Sequence, residues 1–431
     1  MTGMSVRPYW ELGFDADGDV DTRQRDRLLE QTARQGITDL VVFSHGWNNT
    51  RAMATGLYDR FFAPFPSLLG EAPDTRLGYV GVIWPSMRFA DETLADLPRE
   101  AGPGGGPGLD EDTRRALEAV FPGRGQMVAR LAELLAERPE RPAALDEFGV
   151  LVRGLVRTPE GSGATEYAAD VDGDGEPAML GDDAAAVCER FAGALAESRK
   201  TAGARGGLFD GGIDGLWDGA RELLRHATYY AMKRRAGTVG RDGLGPVLGA
   251  LAAARPAPRI HLVGHSFGGR LVSYALGGLP GETAVASVTL LQGAFSHYAF
   301  AERLPHAADR GGALRGDRSR VSGPLVCCHS RHDTALGVFY PVASELAGDD
   351  ASLLPGDARW GAMGHTGIQA VEGVRRLDLA AALSHPFPAD GCVSVDVSDV
   401  VRHGPPAIGA HNDICHEELA RVVLRAGRIM G

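Results

Sequence analysis

A chain of 431 residues can bury a large core, and its 44% hydrophobic and 23% charged residues are the balance of an ordinary globular protein, not of a disordered one. A formal net charge of −12 argues against a general binder of nucleic acid or of anionic membranes, because both reward clustered basic surface. The basic residues are nearly all arginine, with Lys200 and Lys233 the only lysines, which GC-rich codon usage explains without reference to function.

Five cysteines, Cys188, Cys327, Cys328, Cys392 and Cys415, show no C-x-x-C spacing and are odd in number. Neither a disulfide framework nor a zinc site is expected, and free thiols in a reducing compartment fit best. The N-terminus turns polar at once and no apolar stretch reaches membrane-spanning length, so a cytoplasmic location with no integral membrane segment is expected.

Along the chain, Tyr9 to Phe14 reads as extended, Thr22 to Gln35 as helical, and Asp39 to Ser44 as a short buried strand. The loop His45-Gly46-Trp47-Asn48-Asn49-Thr50 leads into a helix with Leu57, Tyr58, Phe61 and Phe62 on its apolar side. Tyr79 to Trp84 is another buried strand, stopped by Pro85. Alternating strand and helix patterns predict an α/β fold, a mostly parallel sheet with helices on both faces.

The pattern changes from about Met87 to Arg235. A breaker at Gly102 to Gly108 is followed by helical patterns at Asp110 to Phe121, Gln126 to Glu137 and Ala144 to Val156, the middle one presenting Met127, Leu131, Leu134 and Leu135. After a polar stretch from Thr158 to Pro177, two more helical patterns span Asp182 to Arg199 and Ile213 to Arg234. So long an interruption predicts a helical, cap-like insertion at 87–235 in a core formed by 1–86 and 236–431. The sheet resumes with Ile260 to Val263, Val285 to Leu291, Leu325 to Cys328 and Val393 to Val397, and Glu417 to Ile429 is an amphipathic terminal helix.

Chemistry enters at Gly264-His265-Ser266-Phe267-Gly268-Gly269, where a buried strand is thrown into a turn before a helical pattern from Arg270 to Leu276. A serine at the tip of such a turn leaves no room for side chains on its neighbours, which Gly264 and Gly268 remove. Serine is a poor nucleophile at neutral pH and needs an imidazole to take its proton and a carboxylate to orient that imidazole. Asp333 stands in the turn Arg331-His332-Asp333 leaving a strand, whereas the end of the preceding strand carries Gln292-Gly293-Ala294 and no carboxylate. The loop after the last strand offers His403, His411 and His416; His411, in Gly409-Ala410-His411-Asn412-Asp413, is preferred, with His416 the competitor. The N–H groups of Phe267 and Trp47 are the candidate oxyanion donors.

With HGWNN at 45–49, GHSFGG at 264–269, Asp333 in SRHD and His411 in GAHND, in the order Ser, Asp, His, the chain resembles the α/β-hydrolase superfamily. It is similar within it to bacterial serine-esterase or lipase-like proteins carrying HGWNN and GHSFGG. The resemblance covers roughly 5–86 and 240–431, leaves the insertion unexplained, and implies fold and nucleophile chemistry but not substrate.

Other features read plainly. Asp170 to Glu176 resembles the start of a calcium loop, but Gly181 stands where the distal glutamate belongs. Asp15 to Asp21 fails at the glycine position, so both read as solvated acidic turns. His329 and His332 lack a spaced third ligand, and His45 and His265 read as bracing residues. Trp47, Trp84, Phe267 and Phe295 follow strands and are expected to contribute to an apolar acyl or alcohol pocket. The expectation is a serine hydrolase of a small or lipid-like carboxylic ester, needing no cofactor or metal. Thioester or amide hydrolysis, acyl transfer, or a non-catalytic binding protein of the same fold are the alternatives.

Overall fold

The computed structural model describes residues 3–70, 75–87, 108–157, 167–173, 178–201, 212–339, 361–405 and 409–430. The breaker at 102–107 and the acidic residues from Asp174 onward to Pro177 lie outside them.

Eight strands form one sheet: β1 (Tyr9–Gly13), β2 (Asp39–Ser44), β3 (Leu77–Ile83), β4 (Arg259–His265), β5 (Ser287–Leu291), β6 (Pro324–His329), β7 (Arg375–Asp378) and β8 (Gly391–Asp396). Their order across the sheet is β1-β3-β2-β4-β5-β6-β8-β7, and every pairing is parallel. The helices are α1 (Thr22–Arg34), α2 (Arg51–Phe62), α3 (Phe65–Leu69), α4 (Glu111–Val120), α5 (Gly125–Glu137), α6 (Pro142–Val156), α7 (Ala184–Thr201), α8 (Ile213–Thr238), α9 (Gly245–Ala253), α10 (Phe267–Gly277), α11 (Met363–Thr366), α12 (Leu379–Ser384) and α13 (Glu417–Ala426). A π-helical turn, Val239–Leu244, joins α8 to α9.

Side chains alternate across a strand, so each apolar strand feeds two cores. Leu40, Val42, Val80, Val82, Leu262 and Leu290 face one core with α1 and α4 to α10, while Val41, Phe43, Val263, Leu291, Val326 and Val395 face the other with α2, α3, α12 and α13. On α13 the fully buried Leu419, Val422 and Leu424 each contribute roughly 1.5–3 kcal/mol. The helices between 111 and 238 share the first core with the sheet instead of forming one of their own. In α5 the buried face is Val128, Leu131, Leu134 and Leu135; Met127 is only half-buried, which corrects the sequence pattern by one position.

Strand order reverses beside β2. The chain passes from β2 outward to β3, returns across β2 to β4, and then steps through β5 and β6 in the opposite direction. The connections leaving β2 and β4 therefore run to opposite sides of the sheet, and parallel sheets hold ligands at the carboxyl ends of strands at such a reversal.

Candidate active site

Ser266 follows β4 directly and caps α10 with φ 57° and ψ −123°, a conformation a non-glycine residue adopts only when its surroundings impose it. The surroundings are explicit. Ser266 N–H donates to Leu291 O at 3.1 Å, and Ser266 O accepts from Gly269 N (3.0 Å) and Ala294 N (3.2 Å). A Cβ on Gly268 would strike the carbonyls of Ser44 and His45, and one on Gly46 would lie 2.6 Å from Ser266 Cβ. The β2 and β4 loops thus touch because both are glycine there.

His411 bridges the serine and the acid. Its Nε2 lies 2.9 Å from Ser266 Oγ and its Nδ1 2.7 Å from Asp333 Oδ2. Asp333 is fully buried, and its other oxygen accepts Leu336 N–H at 3.0 Å. The aspartate loop and the histidine loop are tied by Ala410 N–H to His332 O (2.9 Å) and by Ser330 Oγ–H to Val401 O (2.6 Å). His265 adds a brace: Nε2–H donates to His411 O at 2.8 Å, and the two rings lie 5.1 Å apart. Burial pushes the His265 imidazole down to about 3, so it stays neutral. His416 instead bonds Asp413 through Nε2 at 2.8 Å at the start of α13, and His403 is exposed.

The 45–49 loop is built to fix peptide orientation. His45 Nδ1–H donates to Gly46 O (2.8 Å), and Asn49 Nδ2–H donates to Gly46 O (3.3 Å) and Trp47 O (3.0 Å). Because a trans peptide points its C=O and N–H in opposite directions, pinning Gly46 O sends Trp47 N–H the other way. His45 N–H meets Tyr58 Oη at 2.8 Å, its carbonyl accepts Trp84 Nε1–H at 3.0 Å, and its ring stacks on Trp84. Phe267 is the first residue of α10, so its N–H has no intrahelical acceptor.

No family model matches the chain, and no curated protein or solved structure matches it.

The expected pocket aromatics separate by burial. Trp84, Phe267 and Phe295 are packed into the core, whereas Trp47 is half-buried. Sequence reasoning missed Tyr229 on α8, whose ring lies 4.7 Å from that of Phe267 and 5.5 Å from that of Trp47. Only its place on a helical pattern was legible; the contact spans the interval between α8 and the β2 loop.

Asp170 is not a solvated turn residue. It is buried and ion-paired with the fully buried Arg270 of α10 and with Lys233 of α8 at 2.8 Å, and it accepts Ser296 N–H at 3.1 Å. Asp172 pairs with Arg315, so these two carboxylates are committed to cations of the protein. No group of three or more His, Cys, Asp or Glu able to hold a metal occurs among the described residues.

A second serine, histidine and aspartate chain lies at the amino ends of the strands: Ser287 Oγ is 2.9 Å from His261 Nδ1, whose Nε2 is 3.0 Å from Asp39 Oδ1. Burial lowers the His261 pKa, partly offset by Asp39; burial raises that of Asp39, but bonds from His261 and Thr38 more than offset it. All three are buried, and Ser287 sits within a regular strand without a strained turn. Hydrogen-bonded residue types alone do not make a site. What sets Ser266 apart is the strained turn, the loop edge and a histidine side chain that remains 12% exposed.

Proposed function

We propose that the protein is a serine hydrolase of the α/β-hydrolase type that cleaves a carboxylic ester through an acyl-enzyme on Ser266. The observation that carries this reading is His411 bridging Ser266 Oγ at 2.9 Å and Asp333 at 2.7 Å beneath a serine held at positive φ. His411 Nε2 takes the Ser266 proton as Oγ attacks the ester carbonyl, and Asp333 holds Nδ1–H and stabilises the imidazolium. The oxyanion is received by the N–H groups of Phe267 and Trp47. The imidazolium then protonates the departing alcohol. Water, deprotonated by His411, attacks the acyl-enzyme and frees the acid and Ser266.

A fluorophosphonate probe and p-nitrophenyl esters test this directly. Wild type should label and turn over, Ser266→Ala should do neither, Asp333→Asn should lower kcat by about 10⁴-fold, and His411→Ala should lower it further, by about 10⁶-fold. His416→Ala and Ser287→Ala should still label. A folded wild type that neither labels nor hydrolyses any ester would overturn the proposal, and loss of labelling in Ser287→Ala would move the nucleophile elsewhere.

A further inference from the structure

We infer that Tyr229, together with Trp47, forms the acyl-binding wall of the site and selects esters with an aromatic acyl group, an inference that rests on the hydrolase reading above. Around Ser266 most side chains are fully packed, including Phe267, His45 and His265. Trp47 and Tyr229 are the half-buried rings beside them, meeting edge to face at 5.5 Å with an interplanar angle of 80°. Both also pack on Phe267, the residue after the nucleophile, at 6.3 and 4.7 Å. Both rings thus flank Phe267, one of the two residues whose N–H groups are assigned to the oxyanion, and Trp47 is the other.

Which half of the ester they meet follows from the proton path. The departing alcohol must lie within reach of His411 Nε2 to be protonated, so it occupies the histidine side. The ring beside His411 is His265, at 5.1 Å, while Trp47 and Tyr229 cluster on Phe267. With the oxyanion and the alcohol so placed, the remaining substituent of the carbonyl carbon, the acyl group, turns toward the aromatic pair. Two rings already arranged edge to face offer a third flat ring the tilted geometry that aromatic quadrupoles favour.

Tyr229 is also held firmly enough to discriminate. One helical turn on, Lys233 is tied to Asp170, which is tied to Arg270 of α10, so α8 and the nucleophile helix are fixed to each other. The Tyr229 hydroxyl is buried with no hydrogen-bond partner among the described residues. The ring, and not the hydroxyl, is therefore the selecting group, and phenylalanine should substitute for it.

The test compares p-nitrophenyl benzoate with p-nitrophenyl acetate, which share a leaving group, and phenyl acetate with ethyl acetate, which share an acyl group. Tyr229→Ala should lower the benzoate to acetate ratio of kcat/KM by about tenfold or more, with no change in the phenyl to ethyl preference. Tyr229→Phe should restore the benzoate preference. Fluorophosphonate labelling of each variant shows the nucleophile intact. Equal losses on benzoate and acetate with labelling retained, a shift in the alcohol series instead, or failure of phenylalanine to rescue would each overturn the subsite while leaving the hydrolase standing. Absence of labelling in wild type would overturn the hydrolase reading itself.

Discussion

Three of the non-glycine residues with positive φ, Asn48 at 66°, Ser266 at 57° and Gln292 at 45°, sit at the carboxyl ends of β2, β4 and β5. Each such conformation costs on the order of 1–3 kcal/mol, so their gathering at one edge marks where the fold spends stability on geometry. Gln292 adds to this, being fully buried with neither side-chain polar atom bonded among the described residues. Gly46 meets the serine itself. A methyl there would lie 2.6 Å from Ser266 Cβ and 3.1 Å from its Oγ, and no rotamer moves a Cβ. Gly46→Ala must therefore push the 45–49 loop and the serine apart, and on the proposed hydrolase reading a misplacement approaching 1 Å lowers the rate by about 10²-fold. The expected result is that loss in kcat, with slower fluorophosphonate labelling and a nearly unchanged melting temperature. Full activity in Gly46→Ala would show that the close approach has no catalytic consequence.

Among the elements, α8 and α10 are locked by a charge cluster, not by apolar packing alone. Arg270 bonds Asp170, donates to the carbonyls of Lys233, Tyr167 and Ala169, and lies over the Tyr274 ring at 4.5 Å. Removing one partner of a buried pair strands the other charge, so Asp170→Ala should destabilise by about 3–5 kcal/mol, read as a lower urea midpoint. Asp170→Leu combined with Arg270→Met and Lys233→Met should recover part of it, because neither cation paired with Asp170 is then left uncompensated; a triple variant no better than the single would contradict this account. None of this cluster was legible in the sequence, where Asp170 looked like a solvated turn, because its partners lie 63 and 100 residues away by number and carry no local pattern. The strands around the site were legible for the opposite reason: Asp39–Ser44 and the run into Ser266 are short apolar stretches bounded by turn residues. Edge strand β7, Arg375–Asp378, was not, since its charged, exposed side chains follow the demands of an unpaired edge and not of burial. Asp333 and His411 could be nominated because each follows a recognisable strand. Asp39, His261 and Ser287 come from three strands with no shared spacing, so their junction emerged only in three dimensions.

At the scale of the molecule, one parallel sheet carries two hydrogen-bonded serine, histidine and aspartate chains, one at each end, and topology separates their fates. The carboxyl end is where the strand order reverses, and there the His411 side chain stays 12% exposed; at the amino end Asp39, His261 and Ser287 are all buried. Closing the rest of the interior so tightly leaves imidazoles that cannot charge. Burial holds His45 down at about 4 and His265 at about 3, against an ordinary value near 6.5 in the unfolded chain. Between those values the unfolded state binds a proton at each position that the native state does not, so stability rises with pH across that window. It is fully present above about pH 6.5 and is lost as pH falls toward 4, at about 1.4 kcal/mol per pH unit for each group. Two such groups lose several kcal/mol by pH 4, comparable with the whole stability of an ordinary domain. Urea titrations from pH 7.5 to 4.5 should therefore show a midpoint that falls steadily below pH 6.5. His265→Gln should flatten that slope, because glutamine takes up no proton in either state. A midpoint level from pH 7 to 5 would mean that the buried imidazoles do not govern acid unfolding, and a slope unchanged in His265→Gln that His265 is not one of those that do.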